Sequence, residues 1–379
     1  LVRSERGEGR ERRYSREDLE RLKARRDARS GHGAVAAGAL RWGEPVLESG
    51  LTAIEATGPR YRGHRAVELA ETVGFEAVAE LLWTGTLPPE EPRWPVPGLG
   101  LRASALAGLL PADPPPLVTL ALAVPALAAA DPDRYGQAPE VELGRARALI
   151  LRMAALAGAG ADVTRARAAL AEGGVARALL VSLGVPASGR AQALVNRALV
   201  LSADHELNVS AFAVRVAASA GADLYACVSA GLAALSGPRH GGMVDRVEAL
   251  VAEVGRPERA RAVVQDRARR GEKVPGFGHP LYPEGDPRGA LLLAAALEFA
   301  PRSAKVRAAA ALSEAMQEAG RERPSLDFGL MATGAALGLP PRTAVAMFAI
   351  VRAAGWLAHA LEQRAAGFLL RPRARYVGP

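Results

Sequence analysis

With 379 residues, 49% of them hydrophobic and 23% charged, the chain can bury a large core in two or so packing units, which excludes disorder as its main state. Aromatics are only 4%, against 40 glycines and 27 prolines, a balance that fits an alanine-rich helical protein better than an all-β one. Cys227 is the single cysteine, so an intramolecular disulfide is excluded, a cysteine-built zinc site lacks its partners, and a reducing cytoplasm fits best. The net charge is +8, and residues 1–29 carry half of it, so basicity alone does not make the body of the chain a nucleic-acid binder. The longest apolar run, Leu117 to Ala130, contains Pro125 and falls short of the roughly 20 residues that span a bilayer, so neither a membrane helix nor a secretory signal is expected.

In chain order, GEGRERRY reads as a glycine-containing basic loop, and SREDLERLKARRDAR (15–29) as a helix capped by Ser15 with Glu17 and Asp18 in its first turn. This pair resembles the wing and last helix of a MerR-type helix-turn-helix without the helices that would enter DNA; a solvated charged helix is the plain alternative. A small-residue linker runs from Gly31 to Gly43, and LESGLTAIEATGPRYRG then signals a short hairpin, the one convincing β signal. Beyond it, apolar spacing predicts helices over 65–86, 101–110, 116–130, 142–184, 189–220, 222–236, 242–270, 286–319 and 341–366.

Six histidines occur, and two stand in glycine-rich turns, Gly237-Pro238-Arg239-His240-Gly241-Gly242 and Gly276-Phe277-Gly278-His279-Pro280. A ligand can approach such an imidazole without steric obstruction, and it can exchange a proton near neutral pH. His205-Glu206 lacks the second histidine of a zincin because Val209 stands there; convergence of His205, His240 and His279 on a metal in space stays open. Gly276-x-Gly278 has neither a preceding strand nor a third glycine, which rules out a dinucleotide fingerprint, although its bare backbone could bond the edge of a base. Asp286-Pro287 starts a helix from which Arg288 projects. Arg352 sits inside an almost wholly apolar helix, so its guanidinium needs either an internal carboxylate or an anionic substrate. Asp327, at the start of another apolar helix, is a catalytic carboxylate or an ordinary helix-start one. Arg371 and Arg373 end the chain with a pair suited to bidentate contacts.

Five segments, YRGHRAVELAETVGFEAVAELLWTGTLP, LSADHELNVSAFAVRVAASAGADLYACVSAGLAALSGPRHGG, VPGFGHPLYPEGDPR, FAIVRAAGWLAHALEQ and RPRARYVGP, resemble in content and order the motifs of the citrate synthase family, from about Gly43 to Pro379. The resemblance implies an all-α, two-domain homodimer with its site in the cleft. The large domain would comprise 31–241 with 338–379 and the small domain 242–337, after a basic remnant over 1–30. It implies condensation of acetyl-CoA with oxaloacetate to citrate and CoA, with propionyl-CoA as the alternative donor and no permanently bound cofactor or metal. Asp327 would be the base, His240 would hold the enol oxygen, and His279 would hydrogen-bond the keto oxygen. His205, Arg288, Arg352 and Arg371 would bind the carboxylates, Arg371 from the neighbouring subunit, while Val274, Pro275, Gly276, Phe277 and Gly278 would cradle the CoA adenine.

Three departures stand beside the likeness. Met243-Val244-Asp245 follows His240-Gly241-Gly242 where Ala-Asn-Glu is usual, Ser325 replaces the usual Asn, and Pro280 takes the place of a frequent Arg. The basic N-terminus and the Met243-Val244 departure motivate a competing expectation, a ligand-sensing regulator whose DNA contact would come through a fuller N-terminal head.

Overall fold

The computed structural model describes residues 4–6, 12–14, 47–102, 106–111, 114–372, 374 and 376–378. Its contacts divide the chain into two compact units, Leu1–Ser49 with Leu370–Pro379, and Gly50–Leu369. In the first unit, β1 (Ser4–Arg6) pairs antiparallel with β2 (Arg12–Tyr14), Glu5 opposite Arg13. This corrects the expectation of a single β signal, because backbone pairing forms a hairpin in a segment whose side chains show no apolar alternation. The predicted helix over 15–29 and the linker 31–43 lie outside the described residues.

The Gly50–Leu369 body opens with the expected hairpin, extended to three strands: β3 (Thr52–Glu55), β4 (Gly58–Tyr61) and β5 (His64–Arg65), in that order. Helices follow: α1 (Ala66–Thr72), α2 (Phe75–Thr84), α3 (Pro116–Ala130), α4 (Pro139–Ala159), α5 (Val163–Ala171), α6 (Val175–Ser182) and α7 (Gly189–Ser202). Next come α8 (Val209–Ser219), α9 (Leu224–Leu235), α10 (Gly242–Val254), a 3₁₀ turn at Pro257–Arg259 and α11 (Ala260–Arg269). The last are α12 (Pro287–Phe299), α13 (Ala304–Glu318), α14 (Leu326–Ala336) and α15 (Thr343–Ala366). The architecture is all-α with short β accessories, as the composition implies.

The long predicted segments break where local chemistry restarts a helix. The 142–184 stretch becomes three helices because Gly160 turns left-handed after α4 and Asp162 caps α5 by accepting from Arg165 N–H at 3.0 Å. Asn208 caps α8 in the same way and splits 189–220, while Ser303 caps α13 and splits 286–319. In each case apolar periodicity carries across a break that one polar side chain sets.

Helix α15 is long and apolar enough to cross a bilayer, yet 94% of its apolar window is buried inside the body. It is the central core helix. Trp356 on it is fully buried against Gly231 of α9, where an added Cβ would lie 2.6 Å from the indole ring. Gly231→Ala is therefore expected to destabilise the fold by about 1–3 kcal/mol through overpacking; an unchanged melting temperature would refute this contact as a tight one.

Candidate active site

The turn between α7 and α8 carries His205, which is 9% exposed, and Nε2 lies 2.8 Å from Tyr282 Oη. Its ring meets that of His279 edge-on at 5.3 Å. Burial, followed by the nearby charges of Arg288 and Arg352, holds the His205 pKa well below its ordinary value, so the ring is neutral at pH 7.

His240 precedes α10, and its Nε2 lies 2.8 Å from Ser210 Oγ. Trp356 Nε1–H donates to the same oxygen at 3.0 Å, and the single Ser210 O–H proton has two acceptors in reach, Asn208 Oδ1 at 2.7 Å and His240 Nε2. Asn208 Oδ1 already accepts from the Ser210 and Ala211 backbone N–H groups. When Ser210 O–H points to the imidazole, the ring's own proton sits on Nδ1. Burial first, then Arg352, lowers the His240 pKa to about 4.

His279 is fixed by local backbone. Leu281 N–H donates to its Nδ1 at 3.2 Å, which puts the proton of the neutral ring on Nε2. Burial and Arg288 both lower its pKa.

Two buried arginines flank the histidines. Arg288 starts α12 and is bound twice by Asp286, Nε to Oδ1 at 2.9 Å and Nη2 to Oδ2 at 2.8 Å; its buried Nη1 has no hydrogen-bond partner among the described residues. Arg352, on α15, is 2% exposed, stacks over Phe348 at 4.8 Å, and its buried Nε is likewise without a partner among them. The internal-carboxylate alternative thus describes Arg288, whereas Arg352 makes no hydrogen-bonded ion pair with a described carboxylate. An unpaired buried guanidinium is energetically unfavourable and so attracts an anion.

Asp327 lies in the first turn of α14. Glycines bring it to Arg288: a Cβ on Gly289 of α12 would fall 2.3 Å from Ser325 O, and one on Gly329 of α14 would fall 2.7 Å from Leu292 Cβ, so the two helices touch backbone to backbone. Leu326 N–H donates to Asp286 Oδ2 at 3.2 Å and completes the junction. Burial raises the Asp327 pKa to about 6 against the opposing charge of Arg288.

Residues 274–278 form a turn stitched to the strand-like segment before Asp327. Phe277 bridges Pro324, Gly278 N–H donates to Arg323 O at 2.9 Å, and Ser325 N–H donates to Gly276 O at 2.8 Å. Gly276 and Gly278 both take left-handed φ, 81° and 75°. Two backbone groups that sequence alone leaves available to a base, Gly276 C=O and Gly278 N–H, are thus used within the fold.

His205, His240, His279, Arg288, Arg352 and Asp327 therefore converge on one locality, and residues 274–278 join it through the segment before Asp327. Arg371 is exposed and belongs to the unit containing Leu370–Pro379. Among the described residues, no three His, Cys, Asp or Glu side chains are arranged to hold a metal ion. At the departures, Val244 is 1% exposed in the core, Asp245 Oδ1 is buried without a hydrogen-bond partner among the described residues, and Pro280 is exposed. Sequence reasoning missed Ser210, Tyr282 and Phe348, and it read Asp286 only as a cap. The Asp286-x-Arg288 spacing was the one local signal available, since Ser210 and His240 meet across 30 positions.

The family model for the citrate synthase C-terminal domain matches residues 39–373. Citrate synthase 2 of Bacillus subtilis is 35% identical over 187 residues, which is 48% of this chain and 50% of that protein. The chain thus matches about half the length of that relative. Two others align almost throughout: citrate synthase of Haloferax volcanii, 31% identical over 88% of this chain and 93% of its own length, and citrate/2-methylcitrate synthase of B. subtilis, 31% over 84% and 90%. The citrate synthase of Thermoplasma acidophilum, solved as a ternary complex with carboxymethyl coenzyme A and oxaloacetate, superposes with a TM-score of 0.74 at 26% identity, covering 88% of this chain and 94% of that one. With its helical architecture, a family match from 39 to 373 and near-complete alignment to these relatives, the chain belongs to the citrate synthase family.

Proposed function

We propose that the chain condenses an acyl-CoA, acetyl-CoA first, with oxaloacetate and water to give citrate and CoA. The observation that carries this reading is the meeting of a carboxylate whose pKa is near 6 with neutral imidazoles and two buried guanidiniums. Asp327 takes a proton from the acyl methyl. His240, its Nε2 engaged by Ser210, donates from Nδ1 to the thioester oxygen as negative charge develops there; one such donor contributes about 3–4 kcal/mol. The enol carbon attacks the keto carbon of oxaloacetate, whose oxygen receives the proton of His279 Nε2, and water then cleaves the thioester. His205, Arg288 and Arg352 hold the carboxylates, and residues 274–278 receive the adenine, with fewer free backbone groups than a bare loop offers.

The complexed relative from T. acidophilum supports CoA and oxaloacetate as ligands, and the B. subtilis citrate/2-methylcitrate relative supports propionyl-CoA as the alternative donor. One methylene changes binding by only about 1–3 kcal/mol, so pocket fit, not the catalytic set, separates the donors. Thiol release from each acyl-CoA, with and without oxaloacetate, tests the assignment. Release that ignores oxaloacetate, or none from folded protein, rejects it.

The pH dependence follows from Asp327. A base must be ionised, and burial pushes this carboxyl up to about 6, so kcat/KM should rise as pH increases through about 6 and then level off. His240, at about 4, stays neutral across that range. A profile without an acid limb between pH 5 and 7 would remove Asp327 as the base.

The proposal extends to a homodimer with lobes 31–241 plus 338–379 and 242–337, in which Arg371 completes the partner's site; light scattering and a subunit-mixing assay with Arg371→Ala test it. Reading residues 1–30 as a helix-turn-helix wing remnant rests on the sequence resemblance alone, and an absence of salt-sensitive DNA binding by a chain extended upstream would reject it.

A further inference from the structure

Helix α15 reaches the site at successive levels, because Arg352, Trp356 and His359 recur at spacings of four and three and so share one face. His359, one turn beyond Trp356, is fully buried and serves no step of the proposed chemistry. Arg215 Nε donates to His359 Nδ1 at 3.0 Å, which leaves the ring proton on Nε2, in a 3.3 Å polar contact with Asp204 Oδ1 that is not aligned as a hydrogen bond. Asp204 is fully buried too, and its Oδ2 accepts from Thr52 Oγ1 of β3 at 2.6 Å. The far end is anchored: Arg215 pairs with Glu362 and reaches Gln363 Oε1 at 3.3 Å.

The same helix holds the turn by its backbone. Gly355 N–H donates to Ala203 O at 3.1 Å, and a Cβ at Gly355 would fall 2.3 Å from Asp204 Oδ1, so only glycine lets α15 approach this closely. The turn needs such a hold, because Glu206, directly after His205, takes a left-handed φ of 53°. A non-glycine residue keeps that conformation only where its surroundings over-determine it. Asp204 and Glu206 flank His205 in sequence, so the grip on Asp204 sets the direction of the His205 imidazole.

We infer that His359 is a positioning residue: through its Nε2–H contact to Asp204 it locks the Ala203–Glu206 turn and thereby aims His205 at the 2-oxo diacid. The inference rests on the proposed role of His205 as a ligand of that substrate.

Two replacements separate positioning from structure. His359→Gln can present an amide N–H at the level of Nε2 and keep Asp204, whereas His359→Asn ends at the level of Nδ1 and keeps only Arg215. His359→Asn should raise the KM for oxaloacetate about 10- to 100-fold, the scale of an ångström-level misplacement, with the acyl-CoA KM unchanged and His359→Gln close to the parent. Equal behaviour of the two, or both KM values rising in step with a falling melting temperature, would overturn it. If neither variant folds, the near-isosteric Thr52→Val decides, since it removes the hydrogen bond from Thr52 Oγ1 that holds Asp204 beside the His359 contact: a raised oxaloacetate KM supports the inference and an unchanged one overturns it. His205→Gln is the control. If it leaves the oxaloacetate KM unchanged, the site assignment fails and this inference with it; if it raises that KM while His359→Asn does not, only the inference fails.

Discussion

Asp327→Asn should lower kcat/KM for thiol release by about 10²- to 10⁴-fold, the range expected when a positioned general base is removed. The change is isosteric, so it keeps the first turn of α14 and the backbone junction at Gly289 and Gly329. It removes only the ability to accept the methyl proton. Because burial already disfavours the ionised carboxyl, the variant should melt no lower than the parent at pH 8, where the parent carries that buried charge. The acid limb near pH 6 should vanish with the activity. A folded variant that keeps more than a tenth of the parent's kcat/KM would assign proton abstraction to another group.

Arg352→Met carries the second large effect. Methionine fills the stem volume flexibly, but the guanidinium is lost from a site where its Nε has no described partner of its own. Removing one member of a buried charged pair costs about 3–5 kcal/mol. If that pair forms with a substrate carboxylate, the KM for oxaloacetate should rise by about 10²- to 10³-fold. Thermal melts supply an independent readout. Oxaloacetate should raise the parent's melting temperature by binding the folded state, and the same concentration should leave Arg352→Met unshifted. An equal shift in both proteins would show that Arg352 is satisfied from within the chain, the alternative that Arg288 and Asp286 realise one helix away.

How far the sequence carried the reading depends on the range of each interaction. Asp286 before Pro287 declares the start of α12, and Arg288 follows within the same turn. Asp327 at the head of α14 and Arg352 within an apolar helix are legible for the same reason: their signals lie within a few residues. The sequence order of five motifs then points to the family, which the match over 39–373 bears out.

Periodicity did not show where helices stop, because Asp162, Asn208 and Ser303 each set a break with one side chain in a stretch that stays apolar on both sides. Nor did glycine content reveal that Gly276 C=O and Gly278 N–H are used by the segment before Asp327. The β1–β2 hairpin is a backbone event with no alternation to announce it.

The sequence by itself determined the helical class, the reactive residue types and the caps that start their helices, because those follow from side chains within a turn of one another. Only the tertiary structure decided which protons they carry and which way they point. Ser210 meets His240 across 30 positions and Trp356 across 146, and Thr52 meets Asp204 across 152. The raised pKa of Asp327 and the lowered ones of the histidines come from the same cause, burial beside charges that the chain brings together only by folding.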